Sequence, residues 1–154
     1  MSEGPNINGN PLRIAAGLLV ASYLIGEFIL PKYPLIYVFK LIGILGLISS
    51  TFIFISGFNI FKFYDENPLP TSTTNRIIKT GIFAYTRNPI YLAFVLFNFS
   101  MFLVFENVMY LLSSLGLFIW INNYVIKPEE DYLKNKFGDE FVRYCEAVKR
   151  WLIF

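Results

Sequence analysis

The chain has 154 residues, of which 55% are hydrophobic, 19% aromatic and only 16% charged, and its mean hydropathy is +0.52. Soluble domains carry about 25% charged residues, and a chain this short cannot bury so many apolar side chains away from water. The composition therefore argues against a soluble domain and predicts a membrane protein. The net charge of +2 is too small to argue for a nucleic-acid partner.

The residue counts also restrict the chemistry. The chain has no histidine and a single cysteine, Cys145, which excludes an internal disulfide, a Ser-His-Asp triad and metal sites built from histidines or a cysteine cluster. We expect Cys145 to be a small buried residue. Any chemistry must use carboxylates, Tyr, Lys, Arg, backbone groups or a bound cofactor.

Four apolar runs are candidates for membrane-spanning helices, since a hydrocarbon core about 30 Å thick takes roughly 20 helical residues. Pro31 and Pro34 end the first run, and Glu106–Asn107 form a tight connection that predicts an antiparallel hairpin of the last two. No Lys or Arg precedes the first run and no A-x-A-like pattern follows it, so we expect it to be retained rather than cleaved. The predicted spans are residues 13–30, 35–61, 90–105 and 108–126.

Basic residues flank these spans unevenly. Most lie on the side that would hold both termini, the 62–89 loop and the 127–154 tail, and only Lys32 and Lys40 lie on the other side. Because positive charge favours the cytoplasmic side, both termini, the loop and the tail are predicted to be cytoplasmic. The predicted fold is an all-α, polytopic membrane bundle of about four transmembrane helices, forming one domain over residues 1–154, with a cytoplasmic amphipathic C-terminal helical segment.

The tail has helix signals and an apolar stripe. Pro128 suits the first turn of a new helix, and the acidic pair Glu129 and Glu130 follows where the helix dipole favours negative charge. Gly138 followed by Asp139 is typical of a helix stop and a new N-cap. The apolar residues of the stripe recur every three or four positions and are Leu133, Phe137, Phe141, Tyr144 and Val148.

Candidate chemistry gathers at the end of the 62–89 loop. If the last two spans form a hairpin, Arg87, Tyr91 and the Glu129–Glu130 pair face one pocket at the membrane surface. Such a pocket suits a polar or cationic cofactor that meets an apolar substrate. The residues alone leave a second interpretation open, in which a basic helix start, an interfacial Tyr and solvated acids have no catalytic role.

Two linked motifs carry a resemblance to a known family. Pro68-x-Pro70 precedes Gly81-x-Phe83-x-Tyr85-x-Arg87-Asn88-Pro89-x-Tyr91. After the hairpin come Glu129-Glu130-x-x-Leu133-x-x-x-Phe137-Gly138-x-x-Phe141-x-x-Tyr144 and Val148-x-Arg150. Over roughly residues 60–152 the chain resembles the integral-membrane methyltransferases, the family of isoprenylcysteine carboxyl methyltransferases and phospholipid methyltransferases.

The resemblance implies a bundle that binds S-adenosylmethionine (SAM) at its cytoplasmic face and methylates a lipophilic acceptor from the bilayer, with no metal and no obligate protein partner. The predicted catalytic residues are Glu130, Arg87 and Tyr91, and Glu130 is the first candidate to take a proton from an amine acceptor. The cofactor-binding residues carried over by position are Gly81, Tyr85, Arg87, Asn88, Pro89, Tyr91, Leu92, Glu129 and Glu130.

The chain departs from the family pattern in ways that bear on the acceptor. Asn88 stands where many relatives have His, and Ala93 where Gly is common. Relatives that methylate carboxyl groups have an Arg a few residues before the acidic pair, whereas this chain has apolar residues and then Lys127. Lys127 and Arg143 are the available replacements as point charges. The acceptor therefore stays open between a phospholipid amine, an isoprenylcysteine carboxylate and a similar lipid.

Two other functions also stay open. Some membrane sterol reductases resemble this C-terminal region and bind a nicotinamide cofactor there, and a small membrane scaffold would instead use its charged tail to dock a partner. Elsewhere, Glu27 is expected to face the bundle interior or the interface near Lys32, in a structural role. Gly43 and Gly46 are expected to allow close helix packing.

Overall fold

The computed structural model describes residues 4–7 and 9–152, and every regular element within them is helical. A 3₁₀ turn, Gly81–Ala84, precedes the third helix, and a π-helical turn, Asn122–Ile126, joins the fourth helix to the fifth. The predicted all-α class is confirmed. The helices are α1 Pro11–Phe28, α2 Tyr37–Phe63, α3 Pro89–Phe105, α4 Val108–Ile121, α5 Lys127–Phe137 and α6 Asp139–Ala147.

Three helices are long and apolar enough to cross a membrane, which identifies an integral membrane protein. They are α1, α2 and the continuous helix Val108–Phe137 formed by α4, the π turn and α5. The apolar part of this long helix ends at Ile126, because α5 consists mostly of charged and polar residues. Helix α3 is also apolar but has 17 residues, which span about 26 Å.

Capping chemistry, rather than the apolar run alone, sets the start of α1. The helix begins at Pro11, before the predicted Arg13, and ends at Phe28. Asn10 Oδ1 accepts hydrogen bonds from the backbone N–H groups of Leu12 (3.0 Å) and Arg13 (3.3 Å). Pro11 fits the first position because the N–H that it lacks would have no helical partner there.

Small residues let α2 and α3 approach closely. A Cβ atom added at Gly43 would lie 2.8 Å from Leu103 Cβ, and one added at Gly46 would lie 2.2 Å from Ser100 Oγ. At the other end of the contact, Gly57 packs against Pro89. The expected close packing at Gly43 and Gly46 is confirmed, and the order of these contacts shows that α3 runs antiparallel to α2.

Helix α4 packs against α1 through polar contacts. The Asn107 side chain caps α4 by accepting from Met109 N (2.9 Å) and fills the space above Gly26, where an added Cβ would overlap it. Ser22 Oγ bonds Ser113 Oγ and donates to Met109 O. The predicted hairpin of α3 and α4 is present, and Asn107 both caps α4 and wedges it against α1.

Glu106 joins the loops at the end of the bundle away from Pro89. It adopts a left-handed conformation (φ 58°), and its backbone oxygen accepts from Tyr33 N at 3.0 Å. Its side chain accepts from Leu35 N at 2.8 Å and pairs with Lys40 at 3.2 Å. The Glu27 carboxylate lies 2.8 Å from Lys32 Nζ, which confirms the expected position of Glu27 near Lys32.

The tail matches the prediction at Pro128 and differs from it at Gly138. Helix α5 begins at Lys127 with Pro128 in its first turn, and the π turn joins α5 to α4 without a break. A proline in a helix clashes with the carbonyl four residues earlier, and the wider π turn before Pro128 gives room there. The break at Gly138 is present, but Gly138 itself, at φ 54°, is the N-cap of α6, and Asp139 is its first residue. The apolar stripe forms a cluster in which Phe141, Tyr144 and Val148 are buried.

We predict that Gly26→Ala destabilises the protein whereas Gly17→Ala in the same helix does not. The new methyl group at position 26 would overlap the Asn107 side chain, and such overpacking costs about 1–3 kcal/mol. At Gly17 nothing lies within 4 Å of an added Cβ, so the higher helix propensity of Ala leaves stability unchanged or slightly raised. Thermal unfolding in detergent micelles measures both, and equal midpoints for the two variants would contradict the α1–α4 contact.

Candidate functional site

The segment before α3 is held against α2 by a glycine turn and an aromatic contact. Gly81 adopts φ +59°, and an added Cβ there would lie 2.4 Å from Ile60 Cδ1. The buried Phe83 ring packs perpendicular to Phe61 with 5.4 Å between ring centres. The Phe83 carbonyl accepts a 2.7 Å hydrogen bond from Tyr144 of α6. Residues 81–88 therefore have a defined position between α2 and the tail.

The C-terminal strap, residues 148–152, lies across the start of α3. Arg87 N donates to Lys149 O at 3.0 Å, and Arg87 Nη1 donates to Val148 O at 2.7 Å. Arg150 O accepts from Thr86 Oγ1 at 3.0 Å and from Asn88 Nδ2 at 3.1 Å. The motif before α3 and the end of the motif region are thus joined through the strap backbone.

Glu130 is held between two arginines. Its Oε1 lies 2.8 Å from Arg87 Nη2 and 3.1 Å from Arg150 Nε, and its Oε2 bonds Arg150 Nη2. Burial alone would raise the pKa of this carboxyl, but the hydrogen bonds and charges of Arg150 and Arg87 lower it below its ordinary value. Glu130 is therefore ionised at neutral pH and fully engaged in ion pairs.

Glu129 has a different environment from its neighbour. Its Oε2 accepts a 3.0 Å hydrogen bond from the hydroxyl of the buried Tyr91, and its Oε1 bonds no other described residue. Burial of the Glu129 carboxyl raises its pKa to about 7, an effect opposed by the Tyr91 hydrogen bond and increased by the negative charge of Glu130. At neutral pH this carboxyl therefore exchanges a proton readily.

A cavity of about 750 Å³, part of it open to solvent, lies over these groups. A second cavity of about 310 Å³ shares part of its wall and extends to Pro89 and Tyr91 at the start of α3. The residues that line both cavities are Phe61, Pro68, Phe83, Arg87, Asn88 and Glu129.

The structure brings together six of the nine residues expected to bind the cofactor. Three lie apart from the cavities. Gly81 packs against α2, Tyr85 is 70% exposed and lines neither cavity, and Leu92 packs against the apolar core. The six residues that line one or both cavities are Arg87, Asn88, Pro89, Tyr91, Glu129 and Glu130.

Sequence reasoning missed several residues of this site. In the sequence Arg150 stands out only as part of the Val148-x-Arg150 motif, yet in the structure it is one of the two ion-pair partners of Glu130. Asn122 Oδ1 accepts from Arg150 Nη1 (3.2 Å) and from Trp151 Nε1 (3.4 Å). Pro5, near the N-terminus, lines the larger cavity. The spacing Val148-x-Arg150 was an available signal for Arg150, whereas Asn122 and Pro5 carry no pattern of their own.

In residues 4–7 and 9–152 no group of three His, Cys, Asp or Glu residues is placed to hold a metal.

Comparison with known proteins gives two matches. The sequence model of the family described as phospholipid methyltransferase matches residues 36–140. Over 44 residues the chain is 50% identical to an uncharacterized protein of Haemophilus influenzae, a stretch that covers 27% of this chain and 70% of that protein. The family match covers α2, α3, α4 and α5 and includes both Arg87 and the acidic pair.

We predict that the stability of the protein falls as the pH rises from about 5.5 to about 8, and that Glu129→Gln removes most of this dependence. The folded-state pKa of Glu129, about 7, lies above its ordinary value of 4.5, so its contribution is complete below about pH 4.5 and is lost as the pH rises through about 7. The chain has no histidine to titrate in this window.

Unfolding midpoints in detergent at the two pH values test this prediction. The matched control is Glu146→Gln, which changes an exposed carboxylate on α6 and should keep the wild-type slope. A wild-type slope that persists in Glu129→Gln would show that another group causes it.

Proposed function

Because the chain belongs to the phospholipid methyltransferase family, we propose that this membrane methyltransferase uses SAM and transfers the methyl group to a lipophilic amine. The observation that carries the proposal is the pair of adjacent carboxylates in one cavity. Glu130 is neutralised by Arg87 and Arg150, while Glu129 keeps one oxygen without a partner among the described residues and titrates near neutral pH. The pair thus offers one carboxylate, Glu129, that is available to a cation or a proton, beside a second, Glu130, that positions Arg87 and Arg150.

The lining of the cavity fits the chemical groups of SAM. Its sulfonium is cationic, and the free Glu129 oxygen offers this group a negative partner. Aromatic rings such as Phe83 and Tyr132 line the same cavity and suit a heterocyclic base and a cation. Arg87 Nε is buried and has no partner among the described residues, which leaves one donor for a carboxylate. We assign these contacts to the cofactor within this proposal.

We further propose that α3 is the fourth transmembrane helix and that the site faces the cytoplasm. The antiparallel packing of α3 along α2, from Gly57 to Gly43, supports the first point, because α3 then lies in the same apolar layer. The excess of Lys and Arg beside this end of the bundle supports the second. Both termini, the 62–89 loop and α5 and α6 are cytoplasmic in this arrangement, within a single domain.

SAM supplies a methyl group on a positively charged sulfur, and its transfer is an in-line displacement. The protein contributes alignment, exclusion of water and a place for the proton that an amine must lose. We assign the base to Glu129 rather than to Glu130, because the ion pairs of Glu130 lower its pKa and leave it a poor proton acceptor. Glu130 positions Arg87, and Tyr91 positions Glu129 through its hydroxyl.

An amine acceptor is supported over a carboxylate by the pairing of the nearby cations. Arg87 and Arg150 both pair with Glu130, and Lys127 Nζ donates to Asn123 Oδ1 at 2.8 Å along its own helix. The remaining Arg87 donor, Nε, is assigned above to the carboxylate of SAM, and Arg143 is exposed and lines neither cavity. No further cation is thus left at the cavity among these residues, whereas a carboxylate acceptor needs a free one. A protonated amine pairs with the Glu129 carboxylate and then transfers its proton to that carboxylate.

We predict that the purified protein binds SAM and its demethylated product, and that Glu129→Gln weakens SAM binding by about tenfold more than product binding. The two ligands differ in the charge on sulfur, so only SAM loses a charged partner. Calorimetric titration measures both affinities, and Glu146→Gln is the matched control. No binding of either ligand at millimolar concentration by a folded sample would refute SAM as the methyl donor.

We also predict that methyl transfer to amine-bearing lipids rises with pH around an apparent pKa near 7, and that Glu129→Gln lowers the rate by roughly 100-fold or more. Transfer of labelled methyl from SAM to vesicles containing phosphatidylethanolamine measures this rate, and prenylcysteine is the comparison acceptor. A pH-independent rate, or efficient transfer to prenylcysteine alone, would contradict the amine assignment without affecting SAM binding.

A further inference from the structure

A separate cavity of about 630 Å³ lies between α1, α2 and α3, away from the site described above. Its wall is apolar and includes the rings of Phe54 and Phe94, whose centres are 5.7 Å apart. On α1 it runs from Leu12 to Leu19, seven residues or roughly 10 Å along the helix axis. Leu12 and Ala16 at this wall are exposed on the bundle surface. The cavity is thus a groove parallel to the helices, which we call the intramembrane groove.

One buried polar atom in the intramembrane groove lacks a partner. Asn98 is 1% exposed and lines the groove. Its Nδ2 donates to Phe94 O at 2.9 Å in its own helix, but its Oδ1 accepts no hydrogen bond from any described residue. The hydroxyls of Ser50 and Thr51 also line the groove, and both donate to Leu47 O of α2. The groove is therefore lined by a residue that carries a hydrogen-bond acceptor with no donor among the described residues.

The depth of Asn98 restricts what could supply that donor. Asn98 lies nine residues after Pro89, roughly 14 Å along α3, close to the middle of an apolar layer about 30 Å thick. The hydrocarbon layer offers no bulk water, and buried polar groups there are satisfied by protein or ligand. A phospholipid headgroup stays at the surface and does not reach this depth. A donor that reaches this depth from outside the protein must therefore be carried along the length of an apolar ligand.

We propose that the intramembrane groove binds a single lipid chain that carries a hydroxyl near its middle, and that the hydroxyl donates to Asn98 Oδ1. The apolar wall contacts the hydrocarbon on both sides of the hydroxyl. The chain enters the groove from the bundle surface beside Leu12 and Ala16. None of the groove residues lines the cytoplasmic cavities. The ligand site thus stands independently of methyl transfer and of SAM.

The test compares two probes that differ by one hydroxyl, 12-hydroxystearate and stearate. Each is titrated into the purified full-length protein in detergent without SAM, and affinity is measured from the rise in the unfolding midpoint. We expect the wild type to bind the hydroxylated chain about fivefold more tightly. Asn98→Leu keeps the side-chain size but removes the acceptor, so it should bind both chains equally.

Two further variants make the result specific. Asn123→Leu removes the same kind of bond, from a side-chain Nδ2 to the carbonyl four residues earlier, on an exposed surface outside the groove, and should keep the wild-type preference. Ala16→Phe fills the groove from its exposed side and should weaken both probes. Equal wild-type affinity for the two chains, or a preference that survives in Asn98→Leu, overturns the proposal, as does binding unaffected by Ala16→Phe.

Discussion

The ion-pair cluster of Arg87, Glu130 and Arg150 connects the parts of the chain that form the candidate site. Arg87 comes from the segment before α3, Glu130 from α5 and Arg150 from the C-terminal strap. Each partner alone would be a partly buried charge, and breaking such a cluster costs far more than an exposed ion pair contributes. The cluster therefore fixes three distant segments relative to one another and sets the position of the cavity above α3.

The same cluster makes the two adjacent glutamates chemically different. Glu130 meets two guanidinium groups and stays ionised, whereas Glu129 meets a tyrosine hydroxyl and the negative charge of its neighbour. Their pKa values move in opposite directions, Glu130 downward and Glu129 up to about 7. Two carboxylates with opposed pKa shifts are the usual arrangement when one positions and the other exchanges a proton.

The sequence predicted the large features of the fold, because apolar runs and prolines control them directly. The hairpin at Glu106–Asn107 and the approach of Arg87 to the acidic pair follow from run lengths and motif order. The different surroundings of Glu129 and Glu130 could not be predicted, since the second partner of Glu130 is Arg150, which is close only after the strap folds back. Motif spacing likewise does not indicate that Tyr85 is exposed and lies outside both cavities.

The π turn before α5 explains how an acidic residue comes to continue a buried face of the long helix. Leu117, Ile121 and Val125 are all fully buried, and Glu129 follows at the same spacing of four. In a regular α-helix with 3.6 residues per turn, residues four apart drift steadily around the axis, so the fourth member would leave the buried face. Wider turns with i→i+5 hydrogen bonds reduce that drift. The π turn therefore keeps Glu129 on the side that faces Tyr91, and the room it creates before Pro128 serves both the proline and the site.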